Sequence, residues 1–212
     1  MKILGIVCSP RKGGNTEVLV EQVLAIAKDL GADIELDFIA DKNIAPCDGC
    51  ESCVVTGKCK VKDDMQGIYS KLIEADGIVF GTPVYFWGMT AQAKTLIDRT
   101  FIFRTDRPLK NKIAGLVIVA RRRGISQTLS ALTNYCYIEK MLVAGGVIAY
   151  ADKRGDVRQN KVAMDEAKEL GRNMVQAIQR SGKIKSSHTI GGTQVTDPLH
   201  LRLLCRPMVQ QV

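Results

Sequence analysis

The chain has 212 residues, 46% of them hydrophobic, and a formal net charge of +8. That length and apolar content supply the core of one α/β domain with a tail, and no apolar run approaches the roughly 20 residues that cross a bilayer, so no membrane association is expected. The charge is uneven: residues 1–106 carry 12 basic and 15 acidic side chains, whereas residues 107–212 carry 18 and 7. With aromatics at only 5% and no nucleic-acid motif, the basic half predicts an anionic cofactor or an acidic electron carrier as partner, not nucleic acid.

In chain order, Lys2 to Cys8 (KILGIVC) is a short apolar run that predicts a strand. It stops at Pro10, too short and wrongly flanked for a signal peptide, so a cytoplasmic protein is expected. A helix from Thr16 to Leu30 follows, with Leu19, Val23, Ile26 and Leu30 at helical spacing. Asp33 to Ile39 alternates and predicts a second strand; Asp63 and Asp64 offer N-caps to a helix carrying Met65, Ile68, Leu72 and Ile73. Gly77 to Thr82 reads as a fully buried third strand, with a helix from about Thr90 to Thr100 returning over it. Ile113 to Ala120 is the fourth strand, Ser126 to Ala144 the fourth helix, Val147 to Tyr150 the fifth strand and Lys161 to Ser181 the last helix. Apolar strands alternating with amphipathic helices predict a doubly wound five-stranded parallel sheet with helices on both faces. In such sheets ligands bind at the carboxyl ends of the strands, so the loops after strands one, three and four are expected to meet in one crevice.

Between the second strand and the next helix, Cys47, Cys50, Cys53 and Cys59 follow the spacing C-x2-C-x2-C-x5-C. Four soft thiolates on one loop suit an iron–sulfur cluster, and two C-x2-C steps sharing a central cysteine suit a zinc ribbon poorly; a zinc-bound or stapled loop is the alternative. The three other cysteines, Cys8, Cys136 and Cys205, read as packing or surface thiols.

The loop after the first strand, CSPRKGGNT, supplies hydroxyls from Ser9 and Thr16, the Arg11 cation, the Asn15 amide and flexible backbone at Gly13 and Gly14, just before a helix N-terminus. That chemistry predicts a phosphate site, although neither a P-loop nor a dinucleotide fingerprint is present. Pro83, Val84, Tyr85, Phe86, Trp87 and Gly88 after the third strand offer an apolar, aromatic surface for a planar ring. Asp98 and Arg99 read as a helix-surface or subunit ion pair, and no catalytic acid or base stands out.

SPRKGGNT, GTPVYFWGMTAQAKTLIDR and the compact cysteine loop between them resemble the iron–sulfur flavoproteins of the flavodoxin-like NAD(P)H-dependent FMN reductase superfamily, over roughly residues 1 to 180. The resemblance implies a flavodoxin-like fold and FMN, with its phosphate on Ser9, Arg11, Gly14, Asn15 and Thr16 and its ring system against Pro83, Val84, Tyr85, Phe86, Trp87 and Gly88. It implies a 4Fe-4S cluster on Cys47, Cys50, Cys53 and Cys59, and a homodimer or homotetramer with the cluster of one subunit near the flavin of another. Where relatives have a Gly-rich segment after the fourth strand, this chain has Ala120, Arg121, Arg122, Arg123 and Gly124, so Arg121 and Gly124 join the expected cofactor residues. The expected function is FMN-dependent electron transfer between the cluster and a ferredoxin-like carrier or NAD(P)H; without a cluster it is an NAD(P)H-dependent FMN or quinone reductase. Residues 1–182 are expected to form the FMN domain, with the cysteine loop at 44–62, and residues 183–212 a tail or extension.

Overall fold

The apolar runs lie side by side in one sheet. In the computed structural model, which describes residues 1–187, the elements are β1 (Lys2–Val7), α1 (Asn15–Asp29), β2 (Asp33–Phe38), α2 (Ser52–Thr56), α3 (Met65–Glu74), β3 (Gly77–Tyr85), β4 (Gly88–Met89), α4 (Ala91–Arg99), β5 (Ile113–Ala120), α5 (Ile125–Ile138), β6 (Leu142–Tyr150) and α6 (Lys161–Ser187). The strand order is β2-β1-β3-β5-β6, every one of these pairings parallel. This is the flavodoxin-like order, whose switch point lies between β1 and β3.

Period-two alternation divides the core into two layers. Ile3 and Val7 of β1, Val79 of β3 and Ile113, Val117 and Val119 of β5 pack under α1 and α6. Leu4 and Ile6, Ile78 and Phe80, and Leu116 and Ile118 pack on the opposite face with residues of α3, α4 and α5. Strands buried on both faces explain the continuous apolar runs in the sequence. On the first face, α1 and α6 approach closely at Gly171, where a Cβ atom would stand 2.6 Å from the Val23 carbonyl oxygen.

Several boundaries differ from expectation. The fourth helix ends at Ile138 and the last strand begins at Leu142, because Lys140 adopts a left-handed backbone (φ 57°) and the Met141 N–H donates to the Cys136 carbonyl, 2.8 Å. That is a C-terminal cap that turns the chain into the sheet. A sixth strand, β4, was not expected; it pairs antiparallel with the end of β3, Val84 opposite Met89 and Tyr85 opposite Gly88. The short α2 inside the cysteine loop was not expected either. The boundary expected between residues 182 and 183 falls inside α6, and the rest of the expected tail, with His188, His200 and Cys205, lies outside the described residues.

Gly171→Val is therefore expected to lower stability by about 1–3 kcal/mol through overpacking against backbone. Gly67→Ala in α3, where a new Cβ meets nothing within 4 Å, is expected to raise it by about 0.5–1 kcal/mol. Urea unfolding of the two variants checks both signs.

Candidate functional site

The carboxyl ends of β1, β3, β5 and β6 surround a cavity of about 280 Å³. Gly14 precedes α1 without a side-chain cap, so the first-turn amides of α1 carry the partial positive charge of an uncapped helix N-terminus toward this edge. Ser9 is buried, and its Oγ accepts from the Arg11 N–H at 3.2 Å, which folds the loop back on itself. A Cβ at Gly14 would lie 2.8 Å from the Arg11 carbonyl oxygen, so only glycine permits that fold. Of the residues predicted from sequence, Ser9, Arg11, Gly14, Asn15, Thr16, Pro83, Val84, Tyr85 and Arg121 all line this cavity.

Thr90 ties neighbouring elements together. Its Oγ1 donates to the Cys8 carbonyl (2.7 Å) and accepts from the Ala93 N–H (3.2 Å), capping α4. Thr82 Oγ1 accepts from the Thr90 N–H (3.2 Å) and donates to the Pro83 carbonyl (2.9 Å). Buried hydroxyls thus lock the ends of β1, β3 and α4 together. Burial pushes the Cys8 thiol up to about 12, in keeping with a packing role.

Four predicted residues do not line the cavity: Phe86, Trp87, Gly88 and Gly124. Phe86 and Trp87 form the tip of the β3–β4 hairpin with left-handed backbones (φ 45° and 66°), a turn that ordinarily favours Asn and Gly. Phe86 is fully exposed and Trp87 about half exposed. Gly124 (φ 90°) sits behind the hairpin, where a Cβ would meet Trp87 Cα at 2.8 Å, so this glycine lets the β5–α5 loop close against the aromatic turn.

The segment after β6 supplies wall residues the sequence reading missed: Ala151, Asp152 and Arg154. Asp152 pairs with one edge of the Arg121 guanidinium, at 2.6 Å to Nε and 3.1 Å to Nη2. Arg154 donates to the Lys12 carbonyl. Asn15 donates through Nδ2 to the Lys153 carbonyl (2.8 Å) and accepts at Oδ1 from the Val157 N–H (3.2 Å). Its side-chain amide therefore staples the first loop to the last. The available signal was the position of this segment at the carboxyl end of the edge strand.

A second cavity, about 310 Å³, opens beside the carboxyl end of α4 and is lined by Cys47, Cys50, Cys53 and Cys59 together with Arg99, Phe101 and Ile102. Asp48 and Lys60 pair across its rim at 2.8 Å. Among the described residues no three metal-binding side chains close on the reach of a single ion; the thiols stand around the space. Because α4 rises about 1.5 Å per residue, its N-cap Thr90 and Arg99 beside the second cavity are about 13 Å apart along the helix.

Arg99 is not a surface residue. It is 2% exposed and meets Asp63 in a bidentate pair, Nη1 to Oδ2 at 2.6 Å and Nη2 to Oδ1 at 3.0 Å. Asp98 alone makes the expected surface pair, with Lys94 at 2.6 Å. Asp63 also accepts from the N–H groups of Ala45 (2.9 Å) and Met65 (3.1 Å), so it holds the first N–H of α3 while closing the base of the cysteine loop; Asp64, at the N-cap position, makes no side-chain cap bond and accepts from the Asn43 N–H instead. Burial by itself would raise the Asp63 pKa; the Arg99 guanidinium and the two N–H donors outweigh it and hold the carboxyl below its ordinary value of 3.8. Burial likewise works against the Arg99 charge, and Asp63 reverses it.

A family model described as NADPH-dependent FMN reductase matches residues 1–156. The chain is 36% identical over 188 residues to an iron–sulfur flavoprotein of Methanocaldococcus jannaschii, covering 84% of this chain and 97% of that one. It is 38% identical over 148 residues to an iron–sulfur flavoprotein of Methanosarcina thermophila, covering 68% and 78%. Among solved structures it is similar to RosB with the bound intermediate 8-demethyl-8-formylriboflavin-5′-phosphate, at a TM-score of 0.69 and 14% identity, covering 100% of this chain and 97% of the other. A flavodoxin from the domain Archaea aligns at a TM-score of 0.57 and 14% identity, covering 84% and 99%. At such identities the likeness to these structures speaks for the fold alone.

A carboxylate held below its ordinary pKa contributes stability at neutral pH that is lost as pH falls through the depressed value. Asp63→Asn is expected to cost about 3–5 kcal/mol at pH 7, since it leaves a buried guanidinium without its counter-charge. The gap between variant and parent should shrink below pH 3.8, as measured by urea unfolding across the acid range.

Proposed function

The chain belongs to the iron–sulfur flavoprotein family, within the NADPH-dependent FMN reductases, and from that premise we propose that it is an FMN-dependent oxidoreductase coupled to a 4Fe-4S cluster on Cys47, Cys50, Cys53 and Cys59. An FMN-dependent redox role follows from the family. The cluster reading is carried by one observation: all four cysteines line a single cavity at one end of α4, whose other end is tied to the chain just after β1. The donor set fits. A single zinc ion holds each sulfur about 2.3 Å from one centre, whereas a cube presents four separate irons, one to each thiolate, which suits thiols spread around a space.

In this reading the FMN phosphate takes the uncapped N-terminus of α1 with the hydroxyls of Ser9 and Thr16 and the Arg11 cation, and the ring system takes the apolar wall of Pro83, Val84 and Tyr85. Bound in these cavities, the flavin supplies two-electron hydride chemistry and the cluster one-electron chemistry. The protein's part is positional. Thr82 and Thr90 hold the β1 and β3 ends at fixed spacing. Asn15 and Arg154 keep the 153–157 segment against the phosphate loop. Arg122 and Arg123 stand exposed beside Arg121 at the end of β5 and favour an anionic donor, either NAD(P)H or an acidic ferredoxin-like carrier, with an ionic-strength-dependent encounter rate. The exposed Phe86 and Trp87 tip, with Val54 and Val55 half or more exposed on the cysteine loop, favours a homodimer or homotetramer in which one subunit's cluster nears another's flavin.

Protein purified without oxygen is expected to carry about four irons per chain and a broad visible shoulder beyond the flavin bands. Cys53→Ala is expected to remove the iron and the shoulder and to leave FMN bound. Flavin bands without iron in the parent protein would instead favour the NAD(P)H-dependent FMN or quinone reductase that lacks a cluster.

A further inference from the structure

Arg99 reaches the cysteine loop at four separated points. Nη1 donates to the Ala45 carbonyl at 2.7 Å and to Asp63, and Nη2 donates to the Val61 carbonyl at 3.5 Å and to the Cys59 sulfur at 3.6 Å. Ala45 and Val61 bracket the four cysteines, so one side chain spans the entrance and exit of the loop. The same residue lines the cysteine cavity. Its Nε, fully buried, has no hydrogen-bond partner among the described residues. The backbone of the residue is held as well: the Tyr69 hydroxyl donates to the Arg99 carbonyl at 2.9 Å, and α4 carries the residue on its last turn.

We infer that Arg99 is the positioning residue of the cysteine site, holding the loop closed and donating N–H to the Cys59 thiolate so that the potential of the bound cluster is raised. This rests on the cluster reading above and adds to it a residue that ligates nothing. A reduced cluster carries more negative charge than an oxidised one; because Asp63 offsets the guanidinium charge at 2.6 Å, it is the N–H aimed at the ligating sulfur that favours the reduced form. The expected tenfold shift of a one-electron equilibrium corresponds to about 59 mV.

The test uses the anaerobically purified holoprotein, reconstituted with iron and sulfide. Two variants are made: Arg99→Lys, which keeps the charge and loses the fork, and the double variant Asp63→Asn/Arg99→Gln, which removes both buried charges together. The cluster midpoint is read by electron paramagnetic resonance in a redox titration, with the FMN midpoint of the same sample as internal control. The expected result is a cluster midpoint shifted negative, by about tenfold in the equilibrium constant in the double variant and by less in Arg99→Lys, with the FMN midpoint unmoved. Variants that keep four irons at the parent's potential overturn the inference. If both variants lose iron, limited proteolysis decides: a new cleavage between residues 45 and 63 with FMN still bound supports the clamp, and an unchanged digest overturns it. Parent protein that takes up no iron at all refutes the cluster reading itself, and this inference with it.

Discussion

Parallel pairing is the constraint on which everything else in this molecule depends. Each crossover must return the chain to the same edge of the sheet, so every strand enters from one side and every functional loop leaves from the other. The sheet is buried on both faces by α1 and α6 on one side and α3, α4 and α5 on the other, which leaves its carboxyl edge as the place where irregular backbone, uncapped amides and charged side chains gather. The first loop turns into α1 through Gly14, the β3 end is extended by the β3–β4 hairpin, and the segment after β6 folds back to meet them through Asn15 and Arg154. The cavity at that edge is a consequence of strand direction before it is a consequence of any single residue.

The cysteine cavity is not explained by that edge. It is produced by an excursion between β2 and α3, and α4 carries the geometric relation between the two cavities. One end of α4 is fixed by Thr90 to the backbone of β1 and the side chain of Thr82; the other presents Arg99 to the base of the cysteine loop. A short helix that is capped at one end and buried through a charged pair at the other behaves as a rigid strut. The separation of the two cavities is therefore set by helical rise, not by loop conformation.

The strands were legible because burial on both faces leaves long apolar runs that few other structures require, and the loops after β1 and β3 were legible because hydroxyls, glycines and aromatics were crowded there without a packing reason. Other features were hidden for identifiable causes. The expected fourth helix ran on into MLVAGGVIAY, where an apolar run satisfies the end of a helix and the start of a strand equally well; what ends α5 before it is a left-handed backbone at Lys140. Asp152 and Arg154 were passed over because their segment is ordinary in composition and acquires its meaning from a neighbour more than a hundred positions earlier in the chain. Phe86 and Trp87 were read as cavity wall, yet a two-residue return strand carries them to a hairpin tip. Arg99 looked like a surface cation on an amphipathic helix; its burial is created by Asp63, 36 residues away.

Stability alone does not account for that buried pair. An Arg–carboxylate pair out of water pays a desolvation cost that its mutual attraction only roughly offsets, and apolar residues of similar volume commonly serve a fold as well or better. What an apolar pair lacks is direction. Between Ile44 and Lys62 only Ile44 and Cys59 pack against the core, while Val54 and Val55 face outward, so the hydrophobic effect has little surface with which to order this segment. Carbonyl groups and a carboxylate accept hydrogen bonds at fixed angles, and a guanidinium presents five donors in a rigid plane. One arginine can therefore specify where both ends of a polar loop lie to within a bond length. The desolvation cost is the condition for holding four thiols around a common space in a segment that cannot build a core of its own.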